Sequence, residues 1–384
     1  MIRFAFLVLL LTGPAAAQSL DVTIGYLEAR VTRPPTLSNL EEVPKDEGLA
    51  GARLGTADNA TTGRFLGQTH KLEERVVPVG GDVTAAAREL LALTPFVVVN
   101  APRNTLLKIA DLPEAKGAIL LNTAAPDNDL RSDACRANVL HTLPSRAMLA
   151  DALAQFAVKR RWTDWVLIEG ERPGDAAFAE ALRRSATKFR VSIEAEKIWR
   201  FDADMRRSAA AEVPLFTQDL PDHDLIVVAD ETEDWARYIL YHTWLPRPVA
   251  GSEGLVPSAW SAAVEQHGAA QLQSRFEELA NRKMRSIDYA AWAGVRAVGE
   301  AVTRMKSTEA ATVRDYLLGD AFLMAGFKGR PLTFRAWNGQ LRQPIPLSHP
   351  RAVVALAPLE GFLHRTNELD TLGLDEPESK CGTF

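Results

Sequence analysis

The sequence predicts an α/β fold: two successive blocks of alternating strands and helices, each building a Rossmann-like lobe around a parallel sheet. Three observations carry this. Uninterrupted apolar runs at 96–99, 118–121, 165–168 and 225–229 end in polar residues or Pro, the mark of parallel strands buried on both faces. Helical patterns separate them at the spacing of βαβ units. The alternation also starts twice, over 21–143 and 144–254, each block the size of a small domain. In open parallel sheets ligands bind beyond the C-terminal strand ends. The stretch AILLNTAAPDND at 118–129 is therefore the expected edge of a cleft.

Composition narrows the classes. The 384 residues suffice for two domains, and 47% hydrophobic with 24% charged residues describes a soluble globular chain. A net charge of −5 argues against nucleic acid as a partner. Residues 1–17 read as a secretory signal peptide: Met1-Ile2-Arg3, an apolar run over 4–11, then Ala15-Ala16-Ala17 as the cleavage site. No Cys follows that site to carry a lipid anchor, and no later run is long enough to span a membrane. The mature protein is expected to be exported and soluble. The two cysteines, Cys135 and Cys381, suit one disulfide in an oxidising compartment; two free thiols remain the alternative.

In chain order, 21–28 alternates as a first strand, followed by a basic loop with Arg30, Arg33, Pro34 and Pro35. A helix is expected over 48–71, a short strand at 76–79, and a helix over 83–93 capped by Asp82. The strand at 96–99 ends in Asn100-Ala101-Pro102-Arg103-Asn104, and a helix over 105–112 leads to the strand at 118. After a strand at 139–143, Pro144 marks a crossing. The second block reads as helix 146–161, strand 165–168, helix 174–189, strand 191–198, helix 205–215, strand 225–229, helix 233–244 and strand 249–251. Long helices follow at 258–279 and 289–305, with a shorter one at 308–318. Asn338-Gly339 then signals a hairpin within 329–346, and 353–357 adds a strand.

Catalytic signatures are absent: no HExxH, GxSxG, GxxxxGK[ST] or GxGxxG stands in the chain. The seven histidines have no metal-ligand spacing, so neither an enzyme nor a cofactor is expected. Two acidic clusters, Asp127/Asp129/Asp133 and Asp230/Glu231/Glu233/Asp234, offer oxygen ligands to a hard cation. Helix capping is the reading favoured over metal. The polar strand ends form the more coherent set: Asn100, Asn104, Asn122, Thr123, Ala124, Glu231 and Glu253, with Tyr26 beside them; Trp235 and Trp260 could also line a cleft, but the core is the commoner place for such aromatics.

On these stretches, together with VLHTLPSRAMLADALAQFA, WTDWVLIEGERPGDAAFAEAL, DLIVVADETED, VAGSEGL, DYAAWAGVRAVGEAV and KGRPLTFRAWNGQLRQPIPL, the chain resembles the type I periplasmic binding proteins. The match is to their branched-chain amino-acid receptor branch and spans about 20–360. The resemblance implies a periplasmic location, two lobes joined by a three-crossover hinge (near Leu143-Pro144, Gly251–Gly254 and Ala325–Gly329) that closes on a ligand, and delivery to an ABC transporter permease and ATPase complex. It implies an N-terminal lobe of 18–143 plus about 255–325, a C-terminal lobe of 144–254 plus about 326–365, and a polar tail at 366–384. DNATTGRFLGQ, HGAAQLQSRFEELANRKM and the C-terminal Cys-Gly look like a subgroup found beside PQQ-dependent (quinoprotein) alcohol dehydrogenase systems, which makes such a dehydrogenase a second candidate partner.

Binding residues carry over only in part. The family's carboxylate-binding Ser is missing from 100–104, and Pro126 stands where a Thr that helps bind the ligand ammonium is expected. Ala124 fits the backbone position before it, Glu253 keeps the acid of the G-x-E-G-like turn, and the aromatic expected near Pro173 is absent. These departures argue against a leucine-like amino acid as ligand.

Overall fold

The computed structural model describes residues 19–33, 42–200 and 208–384. The expected signal peptide, the Pro34-Pro35 end of the basic loop and the start of the helix expected at 205 lie outside these residues.

Two parallel sheets form the frame. The first contains β1 (Leu20–Ala29), β2 (Gln68–Val77), β3 (Phe96–Asn100), β4 (Ile119–Asn122) and β5 (Val139–His141), in the order β2-β1-β3-β4-β5. The second contains β6 (Asp164–Gly170), β7 (Ser192–Trp199), β8 (Leu225–Ala229) and β9 (Val249–Gly251), in the order β7-β6-β8-β9. Both place their first strand inside and their second at the edge. Every neighbouring pair in them is parallel. Val97 to Val99 and Ile226 to Val228 are fully or almost fully buried, as strands covered on both faces must be.

Helices α1 (Leu49–Leu66), α2 (Val83–Leu91) and α3 (Arg103–Ala110) cover the first sheet, joined by the long helix Ser286–Met305. Asp82 caps α2, its Oδ1 accepting from the Thr84 and Ala85 amides at 3.0 Å each. The helices α1 and Ser286–Met305 lie backbone to backbone: a Cβ on Gly51 would stand 1.9 Å from the Asp288 carbonyl oxygen. The glycines that weaken α1 as an isolated helix are what admit its partner. In the second lobe α4 (Arg146–Arg160) and α5 (Pro173–Phe189) pack on one face of the sheet, Ala209–Thr217 and Ala236–Ile239 on the other.

The C-terminal third returns to both lobes. Strand β10 (Val256–Pro257) precedes the helices Ala269–Ala280, Ser286–Met305 and Ala310–Leu318. A small antiparallel sheet of β11 (Met324–Ala325), β12 (Pro331–Phe334) and β13 (Leu341–Arg342) follows them. β14 (Ile345–His349) then pairs antiparallel with both β10 and β15 (Ala352–Ala357). Leu332, Phe334 and Leu341 belong to the first lobe's core, while Ile345, Leu347 and Ala357 belong to the second. The hairpin of β12 and β13 thus packs with the first sheet, and β14 and β15 with the second.

Three expected helices are shorter than the sequence suggests. α1 stops at Leu66, where Gly67 turns left-handed (φ 67°), and the charged stretch from Gln68 pairs with all of β1 as a strand. The helix expected over 233–244 is one turn, Ala236–Ile239: Asp230 fixes its start, accepting from the Trp235 and Ala236 amides at 2.7 and 2.9 Å, and Tyr241 turns left-handed (φ 70°) just past its end. The pattern at 258–279 becomes helical only from Ala269, after Gly268 with φ 81°. Trp235 stacks on Trp199 and Trp260 on Tyr289, with ring centroids 5.4 and 4.9 Å apart. Both are core residues, not cleft aromatics.

Candidate ligand-binding cleft

A cleft of about 920 Å³ opens between the lobes, walled by strand ends of both sheets. The ends of β1, β3 and β4 bring Glu28, Asn100 to Asn104 and Ala124 to Asp127 from the first lobe. The ends of β8 and β9 bring Asp230, Glu231, Gly251 and Ser252 from the second, and the start of α4 brings Arg146. Val31, Val43, Val79, Leu149, Phe178 and Ile287 supply apolar wall.

Of the eight residues the sequence nominated, four face this space: Asn100, Asn104, Ala124 and Glu231. Tyr26 lies fully buried beneath it, its Oη accepting from Asn100 Nδ2 at 2.9 Å and donating to the Glu47 carbonyl at 3.3 Å. Burial pushes the Tyr26 phenol well above its usual range. Asn122 and Thr123 also point into the protein. Asn122 Oδ1 accepts from the Ala124 and Ala125 amides at 3.3 and 2.9 Å, and Thr123 Oγ1 donates to the Val99 carbonyl at 3.1 Å. They shape the cleft loop without reaching the cleft. Glu253 stands outside the lining, with its own Oε1 accepting from the Gly254 amide at 3.0 Å.

Arg146 is the residue that sequence reasoning passed over. Its Nε and Nη2 hold the two Glu231 oxygens at 2.6 and 2.7 Å, and Nη1 holds Asp127 Oδ1 at 2.9 Å. Burial works against the guanidinium, but the two carboxylates outweigh it and raise its affinity for the proton. Arg146 is 8% exposed, so this is a partly desolvated link between one lobe's loop and the other lobe's strand end. Glu231 thus faces the cleft with its charge already matched. A hint existed in the sequence, where Ser145 and Arg146 open a helix just after the Pro144 crossing.

A second arginine sets the loop. Arg131 is 2% exposed and donates only to neutral oxygens among the described residues: Gln340 Oε1, and the carbonyls of Ala125, Asp127 and Leu143, at 2.8 to 3.0 Å. Burial without a bonded carboxylate pulls its pKa down to about 9. It fastens loop 125–127 to the hinge.

The remaining cleft charges are less settled. Burial raises the pKa of Glu28 and of Glu47, although Arg30 stands by the first and Arg285 and Arg33 by the second. Glu28 Oε2 is buried with no hydrogen-bond partner among the described residues. No side chain caps α3, whose first residues Arg103 and Asn104 line the cleft. In the acidic clusters, Asp129 pairs with Arg103, Asp230 caps the turn after β8, and Arg172 holds Asp234. Among the described residues no group of three or more His, Cys, Asp or Glu is arranged to hold a metal.

No family model and no curated protein matches the sequence. Solved structures do match. A branched-chain amino-acid ABC transporter ligand-binding protein of Burkholderia xenovorans aligns with TM-score 0.72 at 16% identity, over 94% of this chain and 99% of that one. A periplasmic binding protein of Burkholderia mallei gives 0.66 at 14%, over 96% and 100%. An ABC transporter substrate-binding protein of Desulfitobacterium hafniense, in complex with Leu, gives 0.64 at 15%, over 88% and 100%. The fold is that of the type I periplasmic binding proteins: two α/β lobes with a cleft between them.

Proposed function

We propose that this chain is a periplasmic receptor, exported by its N-terminal segment, that binds a small ligand between its lobes and delivers it to an ABC transporter permease and ATPase complex. One observation carries the reading: a cleft of about 920 Å³ lies at the C-terminal strand ends of two parallel sheets at once, one from each lobe. That is where open α/β sheets bind ligands, and a site shared by two lobes closes when they approach. Binding needs no covalent step. The similar structures from Burkholderia xenovorans and Desulfitobacterium hafniense are ABC transporter ligand- and substrate-binding proteins, which supports the reading.

The lobes are read as 18–143 plus about 255–342, and 144–254 plus about 345–365. Asn100, Asn104 and Ala124 are the ligand contacts retained from the sequence, joined by Glu28 and Arg103. Because Arg146 already neutralises Glu231, a ligand ammonium has no free carboxylate at that position. This same observation favours a second reading, an accessory protein of a PQQ-dependent alcohol dehydrogenase system whose cleft no longer serves amino acids.

Mass spectrometry of small molecules released from natively purified protein would identify the ligand. Small-angle scattering with that ligand is expected to show compaction; dimensions unchanged at saturation would sink the receptor reading. Co-purification with permease components, as against a quinoprotein dehydrogenase, separates the two readings.

A further inference from the structure

Residues 369–384, which the sequence presents as a polar tail, are held at both lobes. At the second lobe, Leu372 is fully buried in the core built on α4 and α5. The backbone beside it is gripped by side chains of those helices. Lys188 Nζ donates to the Thr371 and Gly373 carbonyls at 2.9 and 3.1 Å, and the Gly373 amide donates to Asp151 Oδ2 at 2.8 Å.

The far end is fastened to the first lobe. Ser379 Oγ donates to the Arg131 carbonyl at 2.9 Å, and the Lys380 amide donates to Ser132 Oγ at 3.0 Å. Cys381 is joined to Cys135 by a disulfide that spans 246 positions of sequence. Around the first anchor, buried Arg335, just past β12, bonds Asp370 Oδ1 at 2.9 Å and the Leu372 and Leu374 carbonyls at 2.7 and 3.0 Å.

We propose that residues 369–384 are a strap that ties the lobes across the hinge and limits how far the cleft opens. The chain's three crossings let the lobes swing. A fourth tie, anchored in one lobe and covalently fixed to the other, shortens the swing. It also reaches the cleft through a single residue: Arg131, whose carbonyl receives Ser379, holds the carbonyls of Ala125 and Asp127 with its guanidinium. That the cleft it restrains is a ligand site rests on the receptor reading above; the mechanical claim does not.

Small-angle scattering of the ligand-free protein tests that claim. Three proteins are compared: wild type, the double variant Cys135→Ser with Cys381→Ser, and Lys188→Ala, which weakens the opposite anchor. Wild type is expected near the roughly 21 Å radius of gyration of a compact chain this size, and each release raises it by roughly 1 Å. Far-UV circular dichroism is expected to stay native-like in both variants. An unchanged radius in either variant overturns the strap, because a tie needs both of its ends. A lower melting temperature with the radius unmoved marks a merely stabilising disulfide and overturns it equally. Loss of the folded signal in both variants does so too, since a strap outside both sheets is dispensable for building them. Failure of the receptor reading shows separately, as wild-type protein that does not compact with any released ligand.

Discussion

Arg146 and Glu231 meet edge to edge in the cleft, two guanidinium nitrogens on two carboxylate oxygens at 2.6 and 2.7 Å. The pair ties the start of α4 to the end of β8. Two parallel N–H···O bonds give it a fixed geometry as well as attraction.

Arg146→Met is expected to cost about 3 kcal/mol of stability, because it leaves Glu231 and Asp127 partly buried without their cation. Arg146→Lys should recover less than half, since an ammonium cannot hold both oxygens in the same plane. Urea unfolding midpoints read this directly. A Lys variant as stable as wild type would show that charge alone matters.

His141 provides an acid-side signature. Burial holds its imidazole well below the usual range, and Nε2 has no partner among the described residues. Below about pH 6.5 the unfolded chain takes up a proton that the folded one refuses. Stability therefore falls as pH falls toward the folded value, by up to about 1.4 kcal/mol per pH unit from this group. His141→Gln should flatten that part of the slope between pH 7 and 5; matching slopes would refute the assignment.

Glu47 works in the opposite sense. Its raised pKa makes the folded state hold a proton that the unfolded chain has released above about pH 4.3. This contribution to stability is present at low pH and is lost as pH rises through the folded value. Glu47→Gln is expected to be destabilised less than wild type by a pH increase from 4 to 7, measured by chemical denaturation at each pH.

Gly51→Ala tests the seam between α1 and Ser286–Met305. A methyl group there meets the Asp288 carbonyl at 1.9 Å, so the helices must part. Overpacking of this kind costs about 3 kcal/mol, seen by calorimetry as a lowered melting temperature. An alanine variant with the wild-type melting point would mean that the seam is loose.

Most of the frame was legible because its signals are local. Runs such as Leu225–Ala229 can be little other than buried strands, and Asp82 caps its helix from two and three residues away. Only the end of the strand Gln68–Val77 was legible, in the short strand expected at 76–79; its charged start serves an edge strand whose neighbour lies 48 positions earlier in the register Leu20 to Gln68. The same limit governed the cleft. Sequence located the strand ends but not which side chains turn inward, so Tyr26, Asn122 and Thr123 were nominated although they support the site from beneath. Arg146 escaped notice because its partner Glu231 is 85 positions away. Nothing in the spacing of two such residues announces a pair.

The seam at Gly51 also orders events in time. Its partner helix begins at Ser286, beyond all four strands of the second sheet in chain order, the last of them ending at Gly251. The second sheet can therefore gather its strands while the first still lacks a wall. Completing the first lobe means closing a loop of more than two hundred residues around a body that is already partly built. The amino-terminal half is made early and finished late.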